Sequence, residues 1–385
     1  MEPSGDKLVN IESYQKEIDC PRIDGSTSNA PLLVAIEPTA KCNFNCVHCS
    51  RALSKDPPAD MNLELFESIL PAAQFALEVY LFGDGEVLLN VPLHLAMVSR
   101  IYQQNPGCAL GFSTNGRLLT PDVYELYSAA GIRYIQVSVD AATKKLYETM
   151  RRGGSFDELV RNLEGIAEWR RRFTVSRPEL FLATVISRQN FRELPELAQF
   201  AEKYGFSQWY VNVEAPQNPG RDRLCLTAED RRELQCIRAR IADTYGSSFS
   251  VQFDPAIGLP AQTTEKWVEQ ESRVFCAAPW QQFEVKANGD VRVCPYFHQP
   301  ICSMNGRSFA DVWNGPELRQ IRRSFTNLTD IPSCCVNCNL GIRKQYLSES
   351  PALAGIPRSS PPSWVHRGAI KLRTFLSRRL LHQRS

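Results

Sequence analysis

Cys42, Cys46 and Cys49 fall within one eight-residue run, Cys-Asn-Phe-Asn-Cys-Val-His-Cys, with the spacing CxxxCxxC. Three thiolates this close can hold three irons of a cubane 4Fe–4S cluster and leave the fourth iron open to another ligand. Zinc is the alternative, but zinc sites usually close with four ligands and this run has no fourth cysteine. His48 is the nearest substitute, and a chelate shared with the adjacent Cys49 is strained. A second cysteine group lies far downstream, at Cys276, Cys294, Cys334, Cys335 and Cys338. With 13 cysteines in the chain and short spacings in both groups, metal or cluster ligation is favoured over disulfides in a reducing compartment. Any of the remaining cysteines reads first as a small buried hydrophobe.

These residues must be positioned by a framework, and the sequence predicts one. Strand patterns at 32–39, 77–82, 109–113, 134–139, 180–186 and 208–213 alternate with helix patterns at 63–76, 92–104, 121–130, 156–171 and 193–204. Six strands at roughly 30 residues per unit suit parallel βαβ units. Six are too few for a closed eight-stranded barrel, and no dinucleotide glycine fingerprint opens the first helix. The expectation is an α/β partial (β/α)6 TIM-type barrel. In such folds the chemistry collects at the C-terminal ends of the strands. The three-cysteine run follows the first predicted strand, Gly83-Asp84-Gly85-Glu86 the second and Thr114-Asn115-Gly116 the third, while Ser138 and Asp140 close the fourth.

The expected divisions are an N-terminal extension 1–31, the barrel 32–214, a linker and helix 215–274, a small cysteine-rich α+β unit 275–345 and a basic tail 346–385. In the fourth of these, Phe283, Val285, Val291 and Val293 alternate around Asn288-Gly289, which predicts a hairpin with a type I′ turn. Net charge is +2, yet residues 351–385 hold seven Lys and Arg and no acid, so the rest of the chain is net acidic. That balance gives no sign of a nucleic-acid partner. Val365, Ala369, Leu372, Leu376 and Leu380 recur at helical spacing in the tail. A basic amphipathic helix is predicted there, packed on the body or contacting a membrane surface or an acidic partner. No apolar run is long enough to span a bilayer, and the first residues lack the apolar core of a secretory signal, so a cytoplasmic location is expected.

Taken together, the run CxxxCxxC and the ordered strand-end motifs resemble the radical S-adenosylmethionine superfamily over residues 32–214. The resemblance implies a cluster on Cys42, Cys46 and Cys49 whose open iron binds the amino and carboxylate groups of S-adenosylmethionine. Electron transfer then cleaves that cofactor to methionine and a 5′-deoxyadenosyl radical, which abstracts hydrogen from the substrate. An external low-potential donor such as a ferredoxin or flavodoxin is implied. Gly83, Gly85 and Glu86 resemble the family's GGE segment, which contacts the methionine amino group, although Asp84 separates the glycines here. Asn115, Ser138, Asp140, Arg151 and Val185 fall where the family places further cofactor contacts: Ser138, Asp140 and Arg151 with ribose and carboxylate, Val185 near the adenine. Cys276, Pro279-Trp280, Gly289, Cys294, Trp313-Asn314-Gly315 and Cys335-Val-Asn-Cys338 resemble the SPASM/twitch extension. That likeness implies one auxiliary 4Fe–4S cluster on Cys276, Cys294, Cys335 and Cys338, with Cys334 able to replace Cys335 and zinc as the alternative. Two clusters in total are expected.

Three functions compete. The first is dehydrogenation or epimerisation of a small molecule, such as a sugar or aminocyclitol. The second is maturation of a ribosomally made peptide, and the third a zinc or iron–sulfur module without turnover. Only about 31 residues precede the first predicted strand, fewer than a leader-binding domain needs, which tilts the expectation to the small molecule. Asn212, Glu214 and Arg221 are candidate substrate contacts. Cys225, predicted to follow the sixth strand near the barrel mouth, is the candidate thiol hydrogen donor for epimerisation, with oxidation slightly favoured over it.

Overall fold

The computed structural model describes residues 16–17, 20–49, 51, 57–174, 177–213, 224–253, 276–295, 297, 299–327 and 329–336. The expectations for Glu214, Arg221, Cys338 and the basic tail lie outside the described residues. One sheet organises everything else. Its ten strands run in the order β10-β9-β8-β1-β2-β3-β4-β5-β6-β7. They are β1 (Leu33–Ile36), β2 (Glu78–Leu81), β3 (Ala109–Thr114), β4 (Tyr134–Ser138), β5 (Glu179–Ile186), β6 (Gln208–Val213), β7 (Ser250–Phe253), β8 (Gln282–Val285), β9 (Asp290–Arg292) and β10 (Cys302–Ser303). β1 to β7 are consecutive and parallel, which makes an α/β partial barrel.

Helices α1 (Leu63–Ala73), α2 (Val91–Gln104), α3 (Pro121–Ala129), α4 (Lys144–Met150), α5 (Phe156–Phe173), α6 (Leu194–Lys203) and α7 (Ala228–Tyr245) provide the crossovers. Their starts follow local chemistry. Asn62, Asn90, Thr120, Ser155 and Thr227 each cap a helix by accepting a backbone N–H, and Thr227 forms a capping box with Asp230. Alternation along the strands then sends Val34, Ile36, Val79, Leu81, Leu110 and Phe112 into the core between sheet and helices. The other face carries an arc of aromatic rings. Tyr80 stacks on Phe82 at 4.6 Å and lies 5.9 Å from Tyr134, which stacks on Phe181 at 4.7 Å.

Two expectations need correction. The parallel series has a seventh strand, β7, which pairs with β6. Its four residues at the sheet edge are too short to give a period. The hairpin turn is also not type I′, because that turn needs positive φ at both central residues and only Gly289 has it, at 92°. Gly289 N–H donates to the Lys286 carbonyl and Lys286 N–H to the Asp290 carbonyl, both at 2.9 Å. That is a type I turn followed by a glycine bulge, the three-residue hairpin form.

β8 continues the barrel sheet directly by pairing in parallel with β1, Ala35 beside Glu284. The segment before β1 also packs on the downstream unit: Trp313 Nε1 donates to the Asn29 carbonyl at 2.7 Å and Thr27 N to Asn314 Oδ1 at 2.9 Å. Among the described residues no helix is long and apolar enough to cross a membrane.

Candidate functional site

The loop after β1 carries Cys42, Cys46 and Cys49, all half-buried and none in a disulfide. Its shape is imposed by neighbours. Asn45 N–H bonds the Arg152 carbonyl at 2.8 Å and Val47 N–H the Met150 carbonyl at 2.9 Å, which ties the loop to the end of α4. Asn115 Nδ2, past the end of β3, donates to Asn43 Oδ1 at 2.8 Å. Phe44 N–H points at Cys42 Sγ from 3.5 Å. Burial pushes the Cys46 thiol up to about 11, with Arg151 opposing and Asp140, Cys49 and Cys42 adding to the rise. Burial also raises Cys42, with Glu86 and Cys49 adding and the Phe44 N–H opposing. The chain alone therefore keeps both as neutral thiols; bound iron would deprotonate them outright. Three mutually interacting thiols on one loop, an N–H directed at sulfur and a buried guanidinium beside them fit a 4Fe–4S cluster. Among the described residues no three His, Cys, Asp or Glu side chains close on one point as a single ion needs. A cubane takes its thiolates at its corners, farther apart.

Asp140 links the loop to the rest of the barrel mouth. It is fully buried, with Oδ2 at 2.7 Å from Arg151 Nε and 3.3 Å from His48 Nε2, while Oδ1 accepts from Val185 N–H at 2.9 Å. One carboxylate thus joins the cluster loop, the end of α4 and the end of β5. Burial opposes the charge on Arg151, and Asp140 and Cys46 outweigh it and hold its pKa above the usual value. His48, weighed above as a zinc ligand, is in contact with Asp140. Val185 is paired in register with Asn212, and Ser138 with Ala183, so half-buried Ser138, Val185 and Asn212 line up across β4, β5 and β6 around buried Ala183.

The segment 83–86 meets the cluster loop from the other side. A Cβ on Gly85 would lie 2.1 Å from the Thr39 carbonyl oxygen, so only glycine permits this approach. Glu86 N–H donates to the Lys41 carbonyl at 2.8 Å. The Glu86 carboxylate is buried and accepts from Leu88 N–H at 3.1 Å, Thr114 Oγ1 at 2.8 Å and Asn115 N–H at 2.6 Å. Both oxygens thus have partners within the chain, and Glu86 binds the segment to the end of β3. Burial raises its pKa despite these bonds.

The downstream cysteines also converge. Cys335 is raised by burial first, then by Cys334, Cys294 and Cys276, which places these four thiols in one neighbourhood. The sulfurs of Cys334 and Cys335 are 3.9 Å apart, and Ala278 N–H points at Cys276 Sγ from 3.5 Å. Three of the four expected auxiliary ligands are thus brought together, with Cys334 beside them; Cys338 lies outside the described residues. Cys225 is half-buried, next to Leu224, whose carbonyl accepts from Arg188 N–H at 3.0 Å.

Sequence reasoning missed Glu37, Glu284, Lys286 and Arg292, because the contact that organises them, Lys286 to Glu37, spans 249 residues. Lys286 Nζ reaches Glu37 Oε1 at 2.6 Å and Asp84 Oδ2 at 2.9 Å. Glu284 lies on the face of β8 opposite Phe283, which packs on Phe309 and Trp313. Burial pushes Glu284 up to about 7, against the pull of Lys286 and Arg292 and helped by Glu37 and Asp84. A carboxyl raised in the folded state favours the fold only while protonated. Stability is full below about pH 4.5 and is lost as pH rises through about 7. Glu284→Gln removes that loss. Under anaerobic conditions the melting temperatures of variant and parent should coincide near pH 4.5, diverge in favour of the variant up to pH 7, and hold a constant gap above. The gap corresponds to about 3 kcal/mol at most. A gap already present at pH 4.5 would mean that packing, not ionisation, separates them.

Comparison with known proteins agrees with this geometry. The model of the radical SAM superfamily matches residues 36–201, and that of the SPASM iron–sulfur cluster-binding domain matches residues 276–339. The mycofactocin maturase MftC of Mycolicibacterium smegmatis is 28% identical over 321 residues, 81% of this chain and 75% of that protein. The AdoMet-dependent heme synthase of Methanosarcina barkeri is 31% identical over 198 residues, 50% of this chain and 53% of that one. Among solved structures, Streptococcus suis SuiB bound to S-adenosylmethionine superposes with a TM-score of 0.60 at 18% identity, covering 77% of this chain and 68% of SuiB. SuiB bound to its precursor peptide SuiA gives 0.57 at 16% identity, with coverage of 84% and 73%. The chain is a radical SAM enzyme, with S-adenosylmethionine and 4Fe–4S clusters as its cofactors. Within that superfamily it belongs with the members that carry a SPASM domain.

Proposed function

We propose that this enzyme is a maturase that oxidises a ribosomally made peptide. The observation that carries the reading is the 321-residue match to the mycofactocin maturase, too long to be confined to the radical SAM segment or to the SPASM segment. SuiB, crystallised with a precursor peptide, shares the fold. The relatives thus favour the peptide over the sugar-like small molecule that the sequence alone suggested.

In this reading Cys42, Cys46 and Cys49 hold the cluster that binds S-adenosylmethionine. When bound, the cluster and S-adenosylmethionine together supply a carbon-centred radical that takes hydrogen from the substrate. The chain's own groups do the positioning. Gly83, Gly85 and Glu86 shape the wall beside the cluster loop, Asn115 fixes Asn43, and Asp140 with Arg151 fixes His48 and the end of β5. Ser138, Val185 and Asn212 face the cofactor and substrate from β4, β5 and β6. Cys276, Cys294, Cys335 and Cys338 would hold an auxiliary cluster, which would supply a one-electron acceptor for forming an oxidised product. Cys225 then packs as a half-buried side chain and donates no hydrogen. A ferredoxin or flavodoxin provides the reducing electron.

The test is anaerobic turnover with a chemical reductant, S-adenosylmethionine and synthetic peptides drawn from short reading frames beside the gene. Deuterium placed in the peptide should appear in 5′-deoxyadenosine, and the unlabelled peptide should lose two mass units. Deuterium transfer from a sugar or aminocyclitol, with none from any peptide, would overturn the reading.

A further inference from the structure

The sheet brings a lysine of the SPASM hairpin to the segment that departs most from the family pattern. Lys286 follows β8 and is 8% exposed; Glu37 follows β1 and is 2% exposed. Glu37 Oε1 accepts from Lys286 Nζ and from Asp84 N–H, both at 2.6 Å, and Oε2 accepts from Ala287 N–H at 3.0 Å. One carboxylate thus clamps the backbone of the hairpin to the backbone of the 83–86 segment. Lys286 Nζ then reaches past Glu37 to Asp84 Oδ2 at 2.9 Å. Gly83 is locked by the same group, since a Cβ there would lie 2.2 Å from Glu37 Oε1. Asp84 interrupts the glycines, and the acid found there meets a buried cation delivered by the other module.

We infer that Lys286 is a positioning residue for the S-adenosylmethionine site: through Asp84 and Glu37 it holds the 83–86 segment against the cluster loop. The inference rests on the reading that residues 83–86 border that cofactor. The groups facing Lys286 are Glu37 after β1, Asp84 from the loop after β2 and Glu284 from β8, and Arg292 acts in turn on Glu284. A buried ammonium shared by two carboxylates keeps its charge, so its removal leaves Asp84 and Glu37 facing each other uncompensated. Asp84 would then withdraw and take the segment with it. The segment also touches the cluster loop through Gly85 against Thr39 and through the Glu86 N–H bond to Lys41. A change at Lys286 is therefore felt at the cofactor without any contact between them.

Equilibrium dialysis of labelled S-adenosylmethionine against anaerobically reconstituted enzyme tests this. Lys286→Met should weaken binding by about tenfold or more with iron content unchanged, and should alter the change that the cofactor induces in the reduced cluster's EPR signal. Lys286→Arg should recover most of the affinity. Asp84→Asn should weaken binding similarly, and the double variant no further, because both remove one interaction. Full affinity in either single variant, or additive losses in the double, would overturn the inference. If Lys286→Met loses iron, Asp84→Asn decides alone, since it keeps the Lys286–Glu37 pair: unchanged affinity there overturns it. Gly85→Ala separates this from the underlying reading. If that variant binds the cofactor normally, the placement of residues 83–86 beside the cofactor falls, and this inference with it. If it binds poorly while Lys286→Met binds normally, only the inference falls.

Discussion

Alanine in place of Cys42, Cys46 or Cys49 is expected to abolish the formation of 5′-deoxyadenosine from S-adenosylmethionine, because the cluster that binds it loses a thiolate ligand. The thiols have no redundancy. They stand on one loop, where Cys46 feels both Cys42 and Cys49. The fold should survive, because the loop is bound to α4 and β3 by backbone and side-chain bonds that no cysteine makes. Iron analysis separates the two cluster sites. Wild-type enzyme should hold about eight irons with matching sulfide, and a triple variant of the loop about four, retained by the downstream cysteines. A triple variant that takes up zinc and no iron would make the downstream site structural. Undiminished 5′-deoxyadenosine from any single variant would remove that cysteine from the cofactor site.

What the sequence made legible was what is local. CxxxCxxC, the alternation of strand and helix, and the placement of odd residues at strand ends all arise within tens of residues, so period and spacing expose them. What stayed hidden is contact across the chain. Lys286 and Glu37 are 249 residues apart, and no pattern around either announces the other. The same holds for Asp140 and His48, joined at 3.3 Å through the fold. Asp84 could be seen only as a break in a glycine pattern, and its reason became visible once β8 was found beside β1. The hairpin turn was misjudged because Asn-Gly fits two turn types, and the choice depends on where the flanking strands must go.

The second large effect is expected at Asp140, where a buried charge is shared by three elements. Asp140→Ala leaves the Arg151 guanidinium, itself 6% exposed, without its carboxylate and removes the acceptor of the Val185 N–H. Breaking such a pair by removing one partner typically costs about 3–5 kcal/mol, mostly the penalty of the stranded charge. His48 loses this partner at the same time, so the cluster loop loses one tie to β5. Adding Arg151→Met should recover most of the stability, because no buried charge is then left uncompensated. The cofactor readout should not follow. If Asp140 and Arg151 order the loop that holds S-adenosylmethionine, the double variant melts near the wild-type temperature and still binds the cofactor weakly. Recovery of both stability and affinity would reduce the pair to a structural ion pair. Asp140→Asn provides a third point: it keeps an oxygen for Val185 N–H and loses the charge, so its stability should fall between those of the wild type and the alanine variant.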